Sequence, residues 1–303
     1  MPKPYNPLSD FLKQKFGRKV FKVTIDAGFT CPNRDGKKGY GGCIYCDSAT
    51  LVPLSHTGED IKEQLASGIE RVRKRHKADK FIAYFQINTN THAPLDYLKT
   101  VYREALCPDV VGIAISTRPD SVSEGVLDLL SELKKERYLW LELGLQSASD
   151  ETLRKINRGH TAAEFKDAVE RIHKRGMDIC AHIIIGLPGE GREEILNTVR
   201  FVSGLPVWGI KFHQLQVIKN TPLHEMYERG EVKVLSLEEY AGLVAESLEL
   251  LPPGMVVHRL SGDTPKQFLA APAWGANKFI IMERVMELLR LRGACQSSRF
   301  EIK

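Results

Sequence analysis

The sequence predicts an α/β fold: a partial, TIM-like (β/α)6 barrel followed by a mainly helical C-terminal extension. Three observations predict it. Strand-like stretches rich in β-branched and aromatic residues alternate with helix-period stretches six times in succession along the 303 residues. Several of these strands are nearly continuous apolar runs, as in parallel sheets covered on both faces. Six units in a row imply right-handed crossovers and a parallel sheet, yet fall short of the eight that close a barrel.

The first strand spans Val20 to Ile25, and a helix follows from about Asp60 to Lys77. The next strands are Phe81 to Ile87, Val110 to Ser116, Leu139 to Leu145, Asp178 to Ile185 and Gly209 to Val217. Their helices run over Leu95 to Ala105, Val122 to Lys135, Asp150 to Lys155 with Ala162 to Arg175, Arg192 to Ser203, and Leu223 to Arg229. Beyond Arg229 the pattern changes to helices near Leu237 to Leu251 and Trp274 to Arg292, with a short strand-like Met255 to Arg259 between them. The expected division is a barrel core, residues 1–230, and an extension, residues 231–303, that caps or closes it.

Composition narrows the class. With 43% hydrophobic residues the chain can bury a substantial core, and its apolar runs, such as Ile179 to Leu187, are too short to span a bilayer. No charged and then apolar leader opens it, so the expected location is the cytoplasm, without a membrane partner. The net charge of +5 is mild, but the cations come in runs: Arg71 to Lys77, Lys134 with Lys135, Arg171 to Arg175, and Arg290 with Arg292. Such runs either track a phosphate backbone or form solvated helix faces.

Three of the six cysteines fall within CPNRDGKKGYGGCIYC, residues 31–46, just after the first strand. Reactive groups of (β/α) barrels sit in such loops. Cys107, Cys180 and Cys295 are scattered and read as buried small hydrophobes. In a reducing compartment a cysteine cluster points to a metal site or a catalytic group. A structural zinc site wants four protein ligands. Cys31, Cys43 and Cys46 supply three, with His56 or Asp47 as a conceivable fourth. An iron–sulfur cubane held by only three thiolates leaves one iron open, which suits catalysis.

The cysteine loop and the motifs after it resemble the radical S-adenosylmethionine (SAM) enzymes, whose [4Fe-4S] cluster is held by three cysteines after the first barrel strand. The eleven residues between the first two cysteines, in place of the commoner three, match the YhcC/YtqA-like and Elongator catalytic-subunit-related subset. The insert, rich in glycine and lysine, reads as flexible and turn-forming. STRPD (116–120), LELGLQS (141–147), NRGHT (157–161), HIIIGLPGE (182–190) and KFHQLQVIKNTPL (211–223) follow in the order of that subset. The resemblance implies that Cys31, Cys43 and Cys46 bind the cluster, that Tyr45 lies beside the adenine, and that Glu142 and Gln146 face the ribose and sulfonium. FQINTNT (85–91) replaces the glycine-rich loop that meets the methionine amine, making Gln86, Asn88, Thr89 and Asn90 cofactor contacts. His182 opens the adenine-side motif, and Arg118 offers its guanidinium fork to a cofactor or substrate anion.

Plainer readings stand beside these. Glu142 could be a buried carboxylate paired with Arg118 or Lys211, and Gln146 could satisfy strand-end amides. His160, His182 and His213 are either structural or substrate-contacting. No catalytic side chain is assigned. By resemblance, one electron from a flavodoxin- or ferredoxin-like donor cleaves SAM to a 5′-deoxyadenosyl radical. The implied substrate is the carbon-5 side chain of wobble uridine in tRNA, trimmed or remodelled without an acetyltransferase domain, for which 303 residues leave no room. A radical enzyme acting on a small molecule or cofactor precursor, and a non-catalytic iron–sulfur or zinc module, are the alternatives.

Overall fold

The computed structural model describes residues 3–47 and 60–301, so His56 lies outside the described residues. Six strands stand side by side in chain order and pair in parallel: β1 (Val20–Ile25), β2 (Lys80–Phe85), β3 (Val110–Thr117), β4 (Tyr138–Gln146), β5 (Asp178–Ile185) and β6 (Gly209–Gln214). The short β7 (Val217–Ile218) follows. Next, β8 (Val256–Arg259) joins the sheet in parallel beside β6, and β9 (Leu269–Ala271) pairs antiparallel with β7. The seven-stranded sheet curls into a half-barrel.

Two expectations change. The sheet has a seventh strand, drawn from the short strand-like stretch of the extension, where Val256 N–H donates to Trp208 O at 2.9 Å. The strand expected over Gly209 to Val217 is in fact two. Leu215 N–H donating to Ile185 O at 2.9 Å is the last rung of β6 on β5, and Val217 beyond it pairs with Ala271 instead.

Side chains alternate across each strand. Phe81, Ala83 and Phe85, with Ile113, Ile115, Leu139, Leu141, Leu143, Ile179 and Ile183, join the apolar core beneath the helices. That core also takes in Tyr240, Val244, Leu248, Val257, Ile281 and Val285, so residues after 230 pack on the barrel without a break. The alternate positions, among them Tyr84, Ser116, Glu142, His182 and Lys211, line the lumen.

No element before Val20 is expected from the sequence, yet Leu8–Phe16 forms a helix. It touches both edge strands, β1 and β8, and so spans the gap in the half-barrel at the end where the strands begin. Phe11 lies 4.9 Å from the Trp208 ring, and Leu12 packs with Ile82, Tyr84 and Trp140. The lumen is thereby closed at one end and open at the other.

The basic runs occupy last turns of helices: Arg73 to His76 in Ile61–His76, Lys134 and Lys135 in Glu124–Glu136, Arg171 and Lys174 in Ala162–Lys174, and Arg290 in Lys278–Leu291. Positive charge there complements the helix dipole. Several members are paired, Arg73 with Asp109 at 2.6 Å and Arg175 with Asp128 at 3.0 Å. The first three helices run back toward the strand starts, so these runs lie at the barrel end opposite the open mouth.

Candidate active site

The cysteine loop leaves β1 at the open end and folds as a closed hairpin, the turns of which match the turn-forming composition of the insert. Arg34 N–H donates to Cys31 O at 2.8 Å, Gly42 N–H to Asn33 O at 2.8 Å and Cys46 N–H to Cys43 O at 3.0 Å, while Asp35 and Tyr40 form an antiparallel bridge. Gly41 and Gly42 adopt φ of +77° and +80°, a conformation that glycine takes without strain.

Asn33 is the strut of this hairpin. Its Nδ2 donates to Asn157 O at 2.6 Å and lies 3.8 Å from Cys43 Sγ. Asn157 Nδ2 donates in return to Gly42 O at 2.7 Å. Arg158 carries the link into the sheet, its NH2 donating to Gly144 O at 2.6 Å and its NH1 reaching Cys43 Sγ at 3.7 Å. The NRGHT stretch thus fastens the cysteine loop to β4.

Cys31, Cys43 and Cys46 line one cavity of about 280 Å³ at the open end of the lumen. Among the described residues no three His, Cys, Asp or Glu side chains are arranged around a single metal ion. The thiolates of a cubane bind different irons and stand farther apart. Burial, then the facing Cys43, push the Cys46 thiol up to about 11. A bound metal supplies the positive charge that holds such thiols as thiolates. N–H donors directed at Cys43 suit a cluster, whose potential depends on hydrogen bonds to sulfur.

Two buried donors near the loop lack partners. Arg118 grips Asp120 with Nε at 2.9 Å and NH2 at 3.0 Å, but among the described residues its NH1 has no acceptor, and neither has Arg158 Nε. An unpaired buried N–H costs free energy that an anionic ligand recovers. The residues present therefore fit an iron–sulfur cluster with an amino-acid ligand beside it.

Deeper in the lumen Glu142 is fully buried at the centre of a polar network. Oε1 accepts from Lys22 Nζ at 2.6 Å and Trp140 Nε1 at 3.1 Å. Oε2 accepts from Tyr84 OH at 2.7 Å, from His182 Nε2 at 2.9 Å and from Lys211 Nζ. Lys211 and then Lys22 hold the carboxyl well below its usual range despite burial. Burial pushes Lys211 down to about 7 and His182 down to about 4.

Of the residues singled out from sequence, Tyr45, Gln86, Asn88, Thr89, Arg118, Glu142, Gln146 and His182 line the same cavity as the cysteines. Asn90 is not among the lining residues: it is fully buried, and its Nδ2 donates to Ser116 O at 2.8 Å. Asn88 and Gln146 adopt φ of +62° and +77° where their strands end. Glu142 pairs with Lys211, as the plainer reading allowed, but not with Arg118, which Asp120 occupies. With five donors already on its two oxygens, Glu142 meets a ribose hydroxyl only by giving one up. Lys22, Asn33, Tyr84 and Arg158 were missed. Only the alternation of β1 and β2, which aims Lys22 and Tyr84 inward, could have pointed to two of them.

The Radical SAM superfamily profile matches residues 31–202, and the Radical_SAM C-terminal domain profile matches residues 207–290. The chain belongs to the radical SAM superfamily. Within it, the uncharacterized protein YtqA of Bacillus subtilis is 41% identical over 301 residues, covering 99% of this chain and 94% of YtqA. A tRNA uridine(34) acetyltransferase of Methanocaldococcus infernus is 25% identical over 95% of this chain and 61% of its own length. In three dimensions the archaeal Elp3 of Methanocaldococcus infernus superposes with a TM-score of 0.71 at 20% identity, covering 91% of this chain and 64% of that one. The radical SAM half-barrel is therefore the shared fold, and this chain groups with YtqA-like members.

Proposed function

We propose that the chain is a [4Fe-4S]-dependent radical SAM enzyme that remodels the carbon-5 side chain of wobble uridine in tRNA. The observation that carries it is the convergence of Cys31, Cys43 and Cys46 on one cavity with N–H donors at Cys43. The three thiolates would hold the cluster, and Tyr45, Gln86, Asn88, Thr89, Arg118 and Gln146 line the space for SAM beside it. When bound, cluster and SAM supply one-electron chemistry able to remove hydrogen from an unactivated carbon, given an electron from a flavodoxin- or ferredoxin-like donor.

The chain's own part is binding, orientation and exclusion of water. The N-terminal helix covers the end of the lumen where the strands begin, and apolar packing backs its strands. Arg118 NH1 and Arg158 Nε offer their unpaired N–H groups to anionic ligand atoms. Glu142 keeps the cations at the floor in fixed positions.

The tRNA assignment is supported by likeness to a relative named for uridine 34 of tRNA. Loop bases splay out and stack on aromatics. Tyr40, 80% exposed on the cysteine hairpin, offers such a surface near the mouth. Mass spectrometry of tRNA nucleosides from cells with and without the gene tests the reading. It expects one modified uridine to change, and unchanged nucleosides would overturn it.

A further inference from the structure

We propose that Arg259, His213 and Gln216 form an oxyanion-recognition wall for the substrate on the β6–β8 side of the cavity. This deepens the reading above and rests on it. The other lining cations have partners: Arg34 has Cys46 O, Arg118 has Asp120, Lys211 has Glu142, and Arg158 has Gly144 O and Cys43 Sγ. Arg259 differs. It lines the cavity at the end of β8, in register with Lys211, and among the described residues it makes no ion pair or hydrogen bond.

Two further donors beside it are unused. His213 Nε2 and Gln216 Nε2 are buried without a partner among the described residues, although Gln216 Oε1 accepts from Thr264 Oγ1 at 2.8 Å. These two side chains meet at one point of the backbone: a Cβ on Gly262 would lie 3.0 Å from Gln216 Oε1 and 3.2 Å from His213 Nδ1. Asp263, a carboxylate that also lines this wall, already pairs with Lys278 at 3.1 Å. A guanidinium fork and an amide NH2, joined by an imidazole that can present Nε2–H, call for a ligand that only accepts hydrogen bonds and carries negative charge.

The methionine carboxylate of SAM belongs with the cluster, where Arg118 NH1 and Arg158 Nε are free to serve it. The anion met by Arg259 is therefore the substrate's own, either a carboxylate on the uridine side chain or a phosphate of the nucleotide that enters.

The experiment uses anaerobically reconstituted enzyme and anticodon stem-loop RNAs whose wobble uridine bears a 5-carboxymethyl group or its neutral isostere, 5-carbamoylmethyl. Wild type is compared with Arg259→Gln and with Arg259→Lys, which keeps charge but loses the fork. Expected is a preference of about tenfold or more for the acid RNA. Arg259→Gln abolishes it, Arg259→Lys keeps part of it, and SAM affinity stays within about twofold of wild type. If Arg259→Gln weakens both RNAs about tenfold and lowers the salt slope by about one, the recognised oxyanion is a phosphate and the wall still stands. Unchanged binding of both RNAs, or a loss confined to SAM affinity, overturns the proposal. A separate arm needs no RNA: millimolar phosphate or acetate should raise the Tm of wild type but not of Arg259→Gln. That result, together with stem-loops binding no better than scrambled RNA, removes the tRNA reading and keeps the wall. RNA binding without an acid preference, a Tm shift or an Arg259 effect removes the wall alone.

Discussion

Lys211 and Glu142 meet in the floor of the cavity, 5% and 0% exposed, and the ion pair they form is shared with Lys22 at 2.6 Å from the other carboxylate oxygen. One carboxylate thus bridges two amines drawn from β1 and β6, strands that lie near opposite edges of the sheet. Removing its charge strands both cations in a low-dielectric lumen. Glu142→Gln is expected to destabilise the fold by about 3–5 kcal/mol in urea unfolding. Adding Lys211→Met should recover part of that loss. Equal stability of wild type and Glu142→Gln would show that the network carries no net charge pairing.

Acid is expected to destabilise the fold well above the carboxylate range. Burial pushes His182 down to about 4 and His160 and His258 down to about 3. Below the ordinary histidine value near 6.5 the unfolded chain takes up protons that the folded chain refuses, so stability falls as pH drops from about 6.5 toward 4. Urea midpoints at pH 7, 6, 5 and 4, chosen by that window, should decrease steadily, and His182→Gln should reduce the slope by about one proton. A flat profile would mean these rings are charged in the native state.

Gly159 holds φ of +74°, and a Cβ there would lie 2.8 Å from Asn33 Oδ1. Gly159→Ala is therefore expected to cost about 1–2 kcal/mol in backbone strain and to dislodge the strut of the cysteine hairpin. Iron bound after anaerobic reconstitution should drop more than the loss of stability explains. Full iron content in the variant would show that Asn33 does not organise the loop.

The helix-terminal basic runs point away from the mouth. On the proposed tRNA reading, charge reversal of Lys135 and Lys174 should leave RNA affinity and its salt slope unchanged in fluorescence anisotropy at several salt concentrations. A slope lowered by about two would place RNA on the far end of the barrel.

Most of the sheet was legible because parallel strands buried on both faces are continuous β-branched runs, and β1 and β5 begin and end where those runs do. The helix Leu8–Phe16 escaped because its apolar residues serve the lumen floor and only the folded sheet supplies Trp140 and Trp208 for them to meet. β8 showed as a short stretch, but nothing local assigns a four-residue strand to the edge beside β6. In the site, the three cysteines stand out by spacing alone. The Glu142 network does not, since its donors come from β1, β2, β4, β5 and β6 and converge only through sheet register.

On the proposed reading, Cys31, Cys43 and Cys46 hold a cubane with one iron left for SAM. The most direct measurement is iron and sulfide analysis with electron paramagnetic resonance of the reduced, anaerobically reconstituted protein, with and without SAM. Expected are about four irons and four sulfides per chain, a spectrum altered by SAM, and loss of both in Cys43→Ala. A single zinc per chain, or a cluster that survives Cys43→Ala and ignores SAM, would contradict it.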